Sequence, residues 1–194
     1  MAGFSLSDDL TILALAGTWS LVIATIFLMW WQTRQAQRLH SANAVMALRE
    51  RFDSPDFRAA RRRTARYLLS DSTQGLPDLQ VAAFFELMGA LAHEDVLDRK
   101  LVWSAFGGWI TGYLFALRHP IDRLAIAREA THDPLLFGEF EWLANFVITT
   151  DKKALGEEAY AKLPSPPDEA RTVMTRDAAL ETFQITTPTP VAAE

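Results

Sequence analysis

Residues 10–31 constrain this chain most. They read LTILALAGTWSLVIATIFLMWW, without a charge, Pro, Asn or Gln. At ~1.5 Å rise per residue, a helix of that length spans roughly 33 Å, enough for a hydrocarbon core of about 30 Å. Asp8 and Asp9 stand just before the stretch, and Arg34 and Arg38 just after it. The expectation is one transmembrane helix over 10–31, preceded by a short extracytoplasmic lead over 1–9. A cleaved signal peptide fits poorly, because the lead is acidic, the apolar core is long and no small-x-small site follows. A buried core helix is the other alternative. The charge asymmetry and the terminal pair Trp30-Trp31, aromatics suited to a membrane interface, argue against it.

Charge is segregated along the 194 residues, which carry a net −5. Residues 1–31 carry −2, 32–70 carry +6, 71–150 carry −6 and 151–194 carry −3. Basic residues flanking a span stay on the cytoplasmic side. The expected location is therefore a bacterial inner membrane, single-pass, with the N-terminus outside and the remainder cytoplasmic. Cysteine is absent, which excludes a disulfide framework, thiol catalysis and Cys-based metal sites.

Within the apolar stretch Ala16, Ser20 and Ala24 recur every four residues, with Gly17 beside them. Such a small-residue stripe lets helices approach closely in lipid, so it is read as a docking face for a membrane-protein partner or a second copy. Downstream, Ser54 and Pro55 read as the cap and first residue of a helix over 55–69. That helix carries five Arg in nine residues: Arg58, Arg61, Arg62, Arg63 and Arg66. Near a bilayer such a face suits anionic headgroups or a partner; the alternative is pairing with the acidic remainder of the chain. Nucleic acid is not expected, since the domain as a whole is not basic and no recognition motif is visible.

Further helices are expected over 78–92, 99–117, 121–130 and 134–149. Leu101 to Leu117 is uncharged but short and rich in Gly and aromatics, so a core helix is preferred to a second span. Gly107, Gly108 and Gly112 are tolerable in that helix only where something packs closely on them. Residues 151–194 are poor in hydrophobics and hold Pro164, Pro166, Pro167, Pro188 and Pro190, which reads as a disordered tail. No period-2 strand pattern or hairpin turn appears. The fold class is all-α: a transmembrane helix, a soluble bundle of about five helices over 32–150, and a flexible tail.

Chemistry is sparse. Gly107-Gly108 lacks phosphate-loop spacing, and no G-x-S-x-G elbow is present. His40, His93, His119 and His132 show no metal-ligand spacing among themselves. The best polar cluster is Glu86 with His93, Glu94, Asp95 and Asp98, yet the Glu-x-x-His signature of di-metal bundles is missing. Glu86 is read as a buried charge, paired with an Arg of the 58–66 face. No catalytic, metal or cofactor residue is assigned, and no cofactor is expected.

Motifs NAVMAL (43–48), FDSPDFRAARR (52–62), FFELMG (84–89), VWSAFGGWI (102–110) and FGEFEWL (137–143) resemble a bacterial family of single-span membrane proteins known as a domain of unknown function. The resemblance covers roughly residues 40–150 and implies a helical, membrane-anchored module without assigned catalytic residues. The expected function is a non-enzymatic interaction module, an accessory, assembly or regulatory subunit of a larger membrane complex. The alternative is a membrane-tethered effector enzyme or a sensor of anionic lipid or stress.

Overall fold

Asp53-Ser54-Pro55 breaks the chain as its chemistry requires. In the computed structural model, which describes residues 6–70, 75–163 and 165–179, helix α1 (Leu6–Phe52) ends there and α2 (Pro55–Leu69) begins. Ser54 Oγ accepts the Phe57 amide at 3.3 Å, and Pro55 occupies the first helical position, where its missing N–H is no loss. Next comes α3 (Gln80–His93), its first amide held by Asp78 Oδ1 at 3.0 Å. Asp98 starts α4 (Arg99–Arg118) by accepting the Lys100 amide at 2.8 Å. Asp122 starts α5 (Arg123–Thr131) by accepting the Ala125 amide at 2.9 Å. The chain continues as α6 (Gly138–Leu155), α7 (Glu157–Tyr160) and α8 (Pro166–Ala178). Among the described residues there is no strand.

The transmembrane expectation is corrected. Among the described residues, no helix is long and apolar enough to cross a membrane. Side chains of α1 are described only from Thr25, with residues 33, 37 and 38 omitted. From there the apolar run lasts to Trp31, where Gln32 begins the polar continuation. The stripe of Ala16, Gly17, Ser20 and Ala24 lies outside the described side chains. The chain divides into two compact units, Met1–Asn43 and Ala44–Glu194.

The bundle and tail are corrected as well. Among the described residues eight helices form rather than one followed by about five, and the segment read as disordered carries α7 and α8. Of the prolines that suggested disorder, Pro164, Pro188 and Pro190 lie outside the described residues, while Pro166 and Pro167 stand at the start of α8, in its first two positions. Proline is well tolerated there. The last expected helix also shifts, beginning at Gly138 rather than Pro134, because Phe137 takes φ 64° and cannot continue a right-handed helix.

In the second unit α3 packs on α6, α4 on both α6 and α8, and α2 on α8. The core centres on Phe52, the last residue of α1 and fully buried. Its ring lies 5.3–6.0 Å from those of Phe57, Phe84, Phe85, Phe106 and Trp109. Helix α4 buries Val102, Phe106, Ile110, Tyr113 and Leu117, as its uncharged face requires in a core helix. Gly112 lets α8 approach, since a Cβ there would meet Val173 Cγ2 at 2.8 Å.

Candidate functional site

Three polar side chains from three helices meet in the interior: Arg61 of α2, Tyr113 of α4 and Asp177 of α8. Arg61 donates from Nε and Nη2 to the two carboxylate oxygens of Asp177 at 3.0 and 2.5 Å. This is the planar two-point geometry that a guanidinium offers a carboxylate. Its Nη1 donates to the Phe52 carbonyl at 3.1 Å. Tyr113 donates its hydroxyl to Asp177 Oδ2 at 2.5 Å. Arg61 is 2% exposed, and Tyr113 and Asp177 are 0% exposed. The Arg61 guanidinium also lies 3.9 Å from the Phe52 ring centroid and 4.2 Å from that of Trp109, contacts that an arginine makes at less desolvation cost than a lysine. Burial, and then the charge of Asp177, push the Tyr113 phenol far above its usual range. Tyr113 is thereby fixed as a proton donor.

This network opens toward a cavity of about 390 Å³ lined by Asp53, Arg58, Arg61, Trp109 and Arg176. Arg176 of α8 places its guanidinium 3.6 Å from the Trp109 ring centroid. Asp53 accepts from Arg49 Nε at 2.9 Å and lies 3.7 Å from Arg61 Nη1.

The five arginines read as one face are therefore divided. Arg61 turns inward, and Arg63, exposed, pairs with Asp78 at 2.6 Å. Arg58 faces the cavity, Arg62 is half-buried and Arg66 is exposed. Glu86 does not meet an arginine. Half-buried, it accepts the Phe140 amide at 2.7 Å, capping the first turn of α6 from a neighbouring helix in place of a local cap. His93 leaves the acidic turn to pair with Glu139 at 2.9 Å and to stack on Trp142, with ring centroids 4.4 Å apart. A second acid–base group joins Arg118 and Arg128 to one oxygen of Glu141 at 2.6 and 2.8 Å. Among the described residues, no three His, Cys, Asp or Glu converge as a metal site would require. Trp30 and Trp31 are exposed within the first unit, and Arg34 lies 4.3 Å over the Trp30 ring.

Asp177 was missed, although a signal existed. Pro166-Pro167-Asp168-Glu169 is a helix start, and Ala170, Val173, Met174 and Asp177 follow at the spacing of one helix face. An Asp in register with a buried face calls for a buried cation.

The profile of a family described as a domain of unknown function, DUF4760, matches residues 11–146. Neither a curated protein nor a solved structure matches the chain. The match ends before α8, so Arg61 and Tyr113 lie inside it and their partner Asp177 lies outside.

Proposed function

The chain belongs to the DUF4760 family, and from that premise we propose that it is a non-enzymatic helical interaction module, an accessory, assembly or regulatory subunit of a larger complex. One observation carries the reading. Ile26, Phe27, Leu28, Met29, Trp30 and Trp31 are each 48–64% exposed in succession. At about 100° per residue they encircle the helix, so a partner on one side covers only part of this surface. Runs of large apolar side chains left open to water on all sides mark surfaces that association covers. The proposed cover is a set of partner helices, from a membrane protein or from further copies of this chain. Location at the cytoplasmic face of a bacterial inner membrane belongs to the same proposal. It is supported by the +6 block over 32–70 that follows these residues and requires no helix to cross the bilayer.

Elsewhere the polar groups have structural employment: Glu86 caps a helix, Glu141 gathers two arginines and Asp177 holds Arg61. Gentle extraction of the full chain by a C-terminal tag, followed by native mass spectrometry, tests the reading. A stoichiometric assembly that Trp30→Glu with Met29→Glu dissolves is the expected result. A monomer with no co-purifying protein would overturn it.

A further inference from the structure

We propose that the arginine-lined cavity binds a phosphate monoester dianion between Arg58 and Arg176. Its volume of about 390 Å³ falls within the range of small-ligand sites, about 300–1,000 Å³. Two of its charged side chains are already committed: Arg61 to Asp177, and Asp53 to Arg49 and Arg61. Arg58 and Arg176 have no acidic partner among the described residues. They come from different helices, α2 and α8, and face one concave space. Two uncompensated positive charges held there repel each other, and an anion carrying two negative charges removes that repulsion. Arg176 is also preoriented. Its guanidinium lies flat enough against Trp109 to reach 3.6 Å from the ring centroid, and Trp109 in turn packs on Phe52 at 5.3 Å. A guanidinium fork matches paired phosphate oxygens, and a monoester offers three, enough to serve both arginines. Asp53 at the rim does not oppose the anion strongly, because Arg49 and Arg61 already offset its charge.

The test uses the full chain, inorganic phosphate as the probe, and ionic strength held constant with sodium chloride. Thermal unfolding of the wild type is expected to shift upward and saturate with phosphate. Arg62→Gln, on α2 but away from the cavity, is expected to respond as the wild type does. Arg58→Gln and Arg176→Gln are each expected to need at least about tenfold more phosphate for the same shift. Arg58 is exposed, so its variant stays folded even where Arg176→Gln loosens Trp109. Co-sedimentation with phosphatidylcholine vesicles, with and without phosphatidic acid, identifies the source of the group. Capture that depends on phosphatidic acid and is lost in Arg58→Gln assigns a lipid headgroup. Its absence, with the phosphate response intact, assigns a soluble phosphomonoester. No saturable shift, or equal responses in the Arg58, Arg62 and Arg176 variants, overturns the proposal.

Discussion

Two acid–base pairs in the second unit bridge helices at similar distances in opposite surroundings. Arg61 and Asp177 join α2 to α8 at 2.5 Å, with side chains 2% and 0% exposed. His93 and Glu139 join α3 to α6 at 2.9 Å, with side chains 49% and 37% exposed. Geometry alone would rank them as near equals. Burial separates them, because a charge removed from water is expensive unless its partner stays. At the exposed pair, water replaces a lost partner at once, and the coupling is worth ~0–1 kcal/mol. At the buried pair both side chains are shielded, 2% and 0% exposed, so solvent compensates a lost partner far less. The difference also sets what each pair can specify. The exposed pair decorates a contact that the apolar surfaces of α3 and α6 already make. The buried pair obliges α8 to lie where its carboxylate meets both Arg61 and Tyr113.

The largest expected effect follows from that. Asp177→Ala strands Arg61 in the interior and should cost about 3–5 kcal/mol, a substantial part of the 5–15 kcal/mol typical of a domain. Urea unfolding monitored by circular dichroism reads it. A cost below about 1 kcal/mol would mean that the interior admits water and that the two pairs do not differ as argued. Arg61→Leu with Asp177→Leu sharpens the point, since removing both charges leaves neither stranded. The double variant should be more stable than Asp177→Ala alone.

Next in size is the seating of α8 on α4. Gly112→Ala sets a methyl 2.8 Å from Val173 Cγ2 and 3.1 Å from its Cβ. Val173 is β-branched and cannot swing aside cheaply. Overpacking of this kind costs about 1–3 kcal/mol, set against about 1 kcal/mol of helix propensity gained over Gly. The net loss should disappear in Gly112→Ala with Val173→Ala, where the methyl has room. If the double variant is no better than the single one, the contact with α8 is not what selects Gly112. Tyr113→Phe belongs in the same range. It removes one of the donors to Asp177 and keeps the carboxylate paired with Arg61, for about 1–2 kcal/mol.

Local chemistry made the helix starts legible. Ser54-Pro55, Asp98 and Asp122 satisfy amides within their own first turns, and a cap needs only neighbours in sequence. The burial of α4 was legible too, from its uncharged aromatic face and from a run of glycines that asked for close packing. What remained hidden depends on distant partners. Arg61 shares the helix face of Ala60, Thr64 and Ala65, unlike Arg62 and Arg63, but the carboxylate that pairs with it there, Asp177, lies 116 residues later. Glu86 caps a helix 54 residues away, which no local rule anticipates. The apolar stretch over 10–31 misled because length and hydropathy were read as a span, whereas no helix among the described residues meets that requirement. The tail misled because proline density was weighed above proline position.

The smallest effects lie on the exposed side of the comparison, where solvent should mute every change. Glu139→Gln keeps a hydrogen-bonding group opposite His93 and should move stability by less than about 0.5 kcal/mol. A loss near that of Asp177→Ala would erase the distinction drawn here. Glu169, half-buried in the first turn of α8, tests the boundary between the two regimes. Burial, and then the charge of Asp151, raise its carboxyl above the usual range. An acid that holds its proton more tightly when folded adds stability at low pH and loses that contribution as pH rises through its folded value. Glu169→Gln should therefore gain on the wild type as pH climbs from about 4 to about 7. The gain should be small, because the helix dipole favours an acid at this position by ~0.3–1 kcal/mol and water screens the rest. Thermal unfolding across that range reads the slope directly. A difference that stays flat with pH would show that Glu169 is neither desolvated nor repelled by Asp151, and that this end of α8 behaves as open surface.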